Sequence, residues 1–401
     1  MAIATGVAKQ LIYKAESTWG TLASPTSPNG QSLRRVKSTL NLKKDTFASN
    51  EIRTDYQDAD FRHGGRKVEG TLSGELSPGT YKDFIAAATR KAYASVTAMS
   101  SLTLTVAASG AFFTITRSAG SWITDGVRAG MVIRPTAGLN AASRIDCLVV
   151  TITATVLTVT PLNGASLTIE SAVASCTVNV QGKVTYVPQT GHTNTSFSFE
   201  EWHSDINQSE RFSGCRVSSV DLKMPASGIA TIDVGLLGKD MTTAGAQYFT
   251  SPVAATTTGV TSAVNGVLIV GGAKPIALTS LNVKLNGNMT TESVVGSNYS
   301  PDVFQGRVQV DGDFQAFFDD GTLRDAFMNE TPVALAFAMT TDNTGTGDFF
   351  ACYLPKIKLN DAAKDDGDKG IKRSYPFKAL LYPTSGAGTE MTTVQFQDSQ
   401  A

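Results

Sequence analysis

Histidine and tryptophan occur only three times each in 401 residues, and cysteine four times. His63, His192 and His203 form no HxxxH, HExxH or Cys-paired spacing, so the familiar local zinc motifs are missing and no metal or cofactor is expected. Cys147, Cys176, Cys215 and Cys352 lie far apart with no CxxC pair; they read as free buried thiols of a reducing compartment. Trp19, Trp122 and Trp202 have no aromatic neighbours at stacking spacing and read as apolar anchors in a core or interface. There is no GxSxG, no phosphate-binding loop and no GxGxxG after a strand, and Gly238-Lys239 lacks the rest of such a loop. The acidic pairs Asp319-Asp320 and Asp365-Asp366 sit beside glycine and read as solvated turns. No catalytic constellation emerges, and no enzyme is expected.

Charge of one sign is also missing. Lys and Arg total 34 against 35 Asp and Glu, a net charge of −1, which argues against a cationic nucleic-acid-binding surface. A protein past which DNA merely slides would look the same. No run approaches the ~18 apolar residues of a membrane span. Met1-Ala-Ile-Ala-Thr-Gly-Val7 lacks a basic region followed by an apolar one, so the expectation is a chain kept in the cytoplasm until assembly. What is present is 41% hydrophobic residues with 17% charged, enough for packed cores in two to three domains. Glycine (36 residues) and short alternating runs of Val, Thr, Ser and Ala point to a mainly β fold.

The strongest internal signal is a repeat. Thr39-Leu40-Asn41-Leu42-Lys43 returns as Ser280-Leu281-Asn282-Val283-Lys284, 241 residues on. Glu51 and Glu292 keep that register, and Asp60, Gly64, Gly70, Gly79, Thr80 and Asp83 recur, one residue later, as Asp302, Gly306, Gly312, Gly321, Thr322 and Asp325. Asn29-Gly30 pairs with Asn265-Gly266 upstream. Downstream, Phe212, Cys215, Val220 and Leu222 recur as Phe349, Cys352, Ile357 and Leu359, only 137 residues on. The drop in offset implies two copies of one domain, the first carrying an insertion.

The expected organisation follows. Residues 1–30 form an N-terminal arm; 31–91 and 193–240 make the first domain; 92–192 are an inserted β module. Residues 241–264 link to a second domain, 265–383, and 384–401 form a C-terminal arm. Each domain carries one short helix, 81–90 and 323–329, with Thr80 and Asp83 favouring the first helix start. Within the insertion, short strands about 102–106, 112–116, 132–134, 147–153 and 156–160, separated by Gly and Asn turns, suggest a small barrel or sandwich. Because it occurs in one copy only, its removal is expected to leave assembly intact.

Residues 44–66 are polar, mixed in charge and longer than a tight turn. They read as a hairpin arm that reaches a neighbouring subunit, chiefly in an adjacent ring, through Glu51, Arg53, Asp55, Asp58 and Arg62. Mixed charge would give specificity without an apolar patch.

Several segments resemble the tail tube (major tail) proteins of long-tailed phages. Glu16-Ser-Thr-Trp-Gly-Thr21 is similar to the family's entry segment, and Ser49-Asn-Glu-Ile-Arg53 followed by Gly70-Thr-Leu-Ser-Gly-Glu-Leu76 to its central one. Gly79-Thr-Tyr-Lys-Asp-Phe-Ile85 resembles its helix, and Ser121-Trp-Ile-Thr-Asp-Gly126 with Gly130-Met-Val-Ile133 a barrel decoration. The resemblance spans most of 10–240, and the repeat extends it to about 385; Val294-Val295 depart from the Ile-Arg of the first copy. It implies two tandem β-sandwich domains that self-associate into stacked rings, trimeric for a duplicated chain, forming a conduit for DNA in the virion. The implied partners are copies of itself, a tape measure protein within the tube, and tail terminator and distal tail proteins at its ends, with no membrane. A β-sandwich surface adhesin, a secretion-type tube protein and a carbohydrate-active enzyme are the other readings.

Overall fold

In a computed structural model of the chain, the structure describes residues 3–26, 28–272, 278–318, 321–365, 370–384 and 386–401. The fold is mainly β. In the N-terminal half lie β1 (Lys9–Ala15), β2 (Asn41–Ala48), β3 (Phe61–Glu75) and α1 (Lys82–Thr89). The insertion supplies β4 (Met99–Ser109), β5 (Phe112–Arg117), β6 (Val132–Ala137), β7 (Cys147–Ile152), β8 (Val156–Pro161), β9 (Glu170–Val180) and β10 (Lys183–Tyr186). Then come β11 (Phe197–His203), β12 (Gln208–Pro225), β13 (Thr231–Gly238) and β14 (Asp240–Ala244). The C-terminal half has β15 (Gly266–Val270), β16 (Leu278–Asn286), β17 (Gln309–Phe317), α2 (Thr322–Met328), β18 (Val333–Thr340), β19 (Phe349–Leu359), β20 (Lys372–Ala379) and β21 (Gln395–Asp398).

The two halves use one topology. After each helix a strand, β11 or β18, pairs with a long strand, β12 or β19; that strand pairs with β13 or β20, which pairs with β3 or β17. Phe197 lies opposite Cys215, and Phe337 opposite Cys352. All four cysteines are free and buried. The agreement slips elsewhere. Gly79 stands three residues before α1 begins, whereas Gly321 is the N-cap of α2. Leu42 faces Val68, but it is Leu285, not Val283, that faces Val310, so the hairpins absorb a two-residue shift. Tyr81 rather than Thr80 is the N-cap of α1, with no side-chain cap hydrogen bond, and Asp83 lies in the first turn, where its carboxylate accepts the Tyr13 hydroxyl at 2.8 Å.

Alternation decides the core. Val68 and Leu72 on β3, Ile232, Val234 and Leu236 on β13, and Leu281, Val283 and Leu285 on β16 turn one way and are buried. A phenylalanine cluster packs beneath them, with Phe84 of α1 stacked on Phe199 at 5.8 Å between centroids.

The arms and linker expected from sequence are partly built into the sheets. Residues 1–30 contain β1, which pairs along its whole length with β11 and buries Leu11, Ile12 and Tyr13. The Glu16 carboxylate then folds the following turn onto the core. It accepts the N–H groups of Gly20 (2.9 Å) and Gly214 (2.7 Å) and the hydroxyls of Ser196 (2.7 Å) and Ser198 (2.8 Å). Residues 241–264 begin in β14 and run on across the N-terminal half, where the buried Glu200 carboxylate accepts the Tyr248 and Phe249 N–H groups at 2.6 and 2.8 Å. The C-terminal segment carries β21, which pairs with β19 and buries Phe396; Asp398 accepts the Gly79 N–H at 2.8 Å. Polar composition hid these segments because buried carboxylates and backbone pairing hold them, with few apolar anchors. Asp319, Asp320 and Asp366 of the expected acidic turns lie outside the described residues.

The insertion is a closed barrel in the order β8-β5-β4-β9-β6-β7, filled by Trp122, Leu104, Ile115, Val149 and Val178. β9 escaped the sequence reading because its start, Glu170-Ser-Ala-Val, is small and irregular, with register shifts against β4. The last insertion strand, β10, leaves the barrel to pair with β21. The barrel is no free appendage: Ala129, Val132, Leu148 and Leu162 pack on Ile269, Ala336, Ala338, Phe349, Ala351 and Tyr353 of the C-terminal half. Gly130 (φ +78°) sits against the Tyr353 ring, where any Cβ would collide. Its excision, expected to leave assembly intact, would uncover this apolar face.

Glu16→Ala should cost about 2–4 kcal/mol, since four donors lose a charged acceptor, and Glu16→Gln roughly half of that. Urea unfolding of both variants measures it; an unchanged midpoint for Glu16→Ala would refute the clamp.

Candidate subunit interface

One sheet spans both halves. Its strand order is β2-β3-β13-β12-β16-β17-β20-β19, antiparallel throughout. The halves join edge to edge where the C-terminal part of β12 meets β16, from Ser219 opposite Asn286 to Pro225 opposite Ser280. At the two ends, edges remain open among the described residues. β2 pairs only with β3, and β18 covers β19 only as far as Ile357, leaving Lys358 and Leu359 paired on one side. The Thr39 N–H bonds to the Thr71 carbonyl, so alternation aims the N–H groups of Leu42 and Lys44 away from β3. Open edges of this kind are pairing surfaces.

The side of this sheet turned from the core is polar. Directly opposed neighbours run Asp233, Asp221, Lys284, Asp311, Lys378 and Lys358 across six strands. Lys223 reaches Asp233 at 2.6 Å and Asp221 at 3.6 Å, and Lys67 meets Glu69 at 2.5 Å. Partial burial raises the Asp221 carboxyl above its ordinary range, against the pull of Lys223 and Lys284. Lys67, Lys223 and Lys284 on this face therefore stand next to carboxylates, whereas Lys378 lies between Asp311 and Lys358.

The arm predicted from sequence is a hairpin: β2 and β3 run out as a ribbon, with Ala48 opposite Phe61, and residues 49–60 form its tip. Of the expected contact residues, the structure brings together Arg53 and Asp55, at 2.8 Å and exposed; Arg62 pairs with Asp60 at 3.0 Å. Glu51 and Asp58 are exposed and join neither pair. The arm also departs from expectation. Phe47, Ile52, Tyr56 and Phe61 are all exposed on it, Ile52 and Tyr56 almost fully. Scattered among charges, they form no periodic pattern that a sequence reading weighs.

The counterpart in the C-terminal half, residues 287–307, lies back on its own chain. The Asn298 carbonyl accepts the Arg66 N–H at 2.8 Å, and the Arg66 guanidinium covers the Tyr299 ring at 4.2 Å. Arg216 pairs with Asp302 at 2.7 Å, and Arg90 donates to the Gly306 carbonyl at 2.7 Å. Burial lowers the pKa of both arginines, against Asp302 in the case of Arg216. Thus the second loop crosses the β12–β16 joint and rests on the first half.

The family profile described as phage tail tube protein matches residues 6–379. The chain belongs to the phage tail tube protein family. No curated protein matches it. Membership makes it a structural component of the phage tail, built to assemble with itself and with other tail components. No helix among its described residues is long and apolar enough to cross a membrane.

Tyr299→Ala combined with Asp302→Asn should release the 287–307 loop from the joint at a cost of about 1–2 kcal/mol. Limited proteolysis should then cut within 290–304 faster than in the parent chain. Equal cutting rates would show that the loop is held by something else.

Proposed function

We propose that three copies of this tail tube protein close head to tail into a ring, and that rings stack into the tube through which phage DNA passes. The observation that carries this reading is the β12–β16 joint. Between its own halves, the chain makes an edge-to-edge joint of the type a ring must repeat, and it leaves two edges open at the ends of that sheet, β2 and the last residues of β19, Lys358 and Leu359. Two half-sheets per chain and three chains give a pseudo-sixfold circle, which pairs the two open ends of this sheet.

The polar face then lines the lumen. Several of its lysines, Lys67 and Lys223 among them, are offset by neighbouring carboxylates, which suits passage of duplex with few of the phosphate contacts that bind it tightly. The barrel packs on the other side, against Ala336 and Ala338 of β18, and so belongs outside the tube. The tape measure protein would occupy the lumen during assembly in the host cytoplasm, with terminator and distal tail proteins at the ends. The role is structural, with no catalysis.

Negative-stain microscopy of the purified chain should reveal rings or tubes. Lys44→Pro removes an outward N–H from the open edge of β2 and should give a folded protein that stays monomeric. Tubes of normal length from that variant would rule out β2 as the joining edge.

The arm completes the reading. Its base follows the lateral precedent of 287–307, and its tip, with Glu51, Arg53, Asp55 and Asp58, extends to an adjacent ring, where Arg62 supports the contact. Exposed charge pairs contribute only about 0.2–1 kcal/mol each, so repetition around the ring and burial of Ile52 and Tyr56 are needed. Glu51→Lys with Asp55→Lys should leave rings intact while shortening tubes, with a steeper salt dependence of stacking. Unaltered tube lengths at physiological salt would exclude the tip from stacking.

A further inference from the structure

Apart from the sheet edges, strands β11 and β12 gather three donor side chains that are scattered in the sequence. Glu201 and His203 alternate on the same face of β11, and Glu210 stands directly across from Glu201 on β12. One ligand atom from each lies within 4.8 Å of the others. Glu201 is only 4% exposed. Its Oε2 accepts Lys9 Nζ at 2.7 Å, but its buried Oε1 has no hydrogen-bond partner, and neither does the buried Nδ1 of His203. Buried polar atoms left without a partner are costly, and here two of them belong to residues whose ligand atoms gather with a second, half-buried carboxylate. Lys9 pairs with Glu201, whereas Glu210, half-buried, is in no ion pair among the described residues.

We propose that Glu201, His203 and Glu210 form a binding site for a divalent cation of the zinc class. Imidazole with two carboxylates is a donor set that Zn²⁺ accepts, whereas Ca²⁺ and Mg²⁺ select all-oxygen shells of six or more ligands. Zinc–ligand bonds of about 2.0–2.2 Å in a tetrahedron set ligand atoms roughly 3.3–3.6 Å apart. Side-chain rotation supplies the remaining closure, because β11 and β12 already hold the three residues in adjacent register. A water, or Gln208 opposite His203, can take the fourth position. The cation would clip the β11–β12 hairpin near its turn, at residues 204–207, and Lys9 would stay on the outer oxygen of Glu201.

The site is particular to the N-terminal half. Counting from the matching pairs Phe197–Cys215 and Phe337–Cys352, its three positions fall on Thr341, Asn343 and Gly347 in the other half. The same topology therefore forms without these ligands, and variants at them should fold.

The test uses the full chain, stripped with EDTA, desalted and incubated with ZnCl₂. Retained zinc is measured by elemental analysis after a second desalting, alongside the thermal midpoint. About one zinc per chain and a raised midpoint are expected, because a ligand bound only by the folded state stabilises it. His203→Asn, which copies the other half's own Asn343, and Glu201→Gln should each lose at least tenfold in zinc affinity while keeping the parent's circular dichroism. His63→Ala with His192→Ala should bind as the parent does. With Co²⁺ in place of zinc, the visible d–d bands should disappear in His203→Asn. Zinc retention by His203→Asn equal to the parent's, or none by the parent at micromolar zinc, would overturn the site.

Discussion

Backbone hydrogen bonding along one sheet edge is the constraint on which the rest of this structure depends. A sheet edge presents unpaired N–H and C=O groups, and a protein must cover, blunt or use them. Here the chain uses one pair internally, β12 against β16, and so converts two half-sheets into a single eight-stranded surface. Everything else is arranged around that joint. The core lies beneath it, the polar face lies above it, and the 287–307 loop straps across it through Arg66, Arg90 and Arg216. The strap explains why buried arginines are tolerated there, since each guanidinium has carbonyls, a carboxylate or an aromatic ring to meet.

A second theme is the carboxylate as a tie. Half-buried Glu16, in the turn after β1, accepts Ser196, Ser198 and Gly214; buried Glu200 accepts Tyr248 and Phe249 from the stretch after β14; and buried Asp398 accepts the Gly79 N–H from the turn before α1. Burial raises Asp398 to about 6, with the Gly79 and Gln400 N–H groups and Lys82 pulling against it. Because its folded pKa lies above the unfolded value, protonation favours the folded state. That contribution is complete below about pH 4 and fades as pH rises through about 6. Such ties let the chain run polar stretches through its interior edges, where an apolar plug would have been easier to recognise.

The barrel shows how an insertion becomes structural. Its strands close on themselves, yet its outer wall supplies Val132, Leu148 and Leu162 to the C-terminal half, and β10 extends that half's sheet through β21. β18 is consequently buried on both faces, with Leu335 and Phe337 inward and Ala336 and Ala338 under the barrel. Its run Val333-Ala-Leu-Ala-Phe-Ala-Met339 carries that fact openly, since alternating large and small apolar residues suit two unequal contacts.

Sequence by itself determined the β class, the repeated topology, both helices and five of the six barrel strands. Each is written in local periodicity or in glycine turns, where the physics is short-ranged. It also marked the 44–66 hairpin, because a long charged segment has no place in a core. Only the tertiary structure decided that β1, the stretch after β14 and β21 are built in, since a few buried acceptors and backbone pairs hold them and these leave no periodic trace. It alone brought Arg66 to Tyr299 and Glu210 to Glu201 and His203, and it alone aligned Asp221, Lys284 and Asp311 into one row. Those contacts depend on which strand lies beside which and in what register, and register is set by the whole sheet at once.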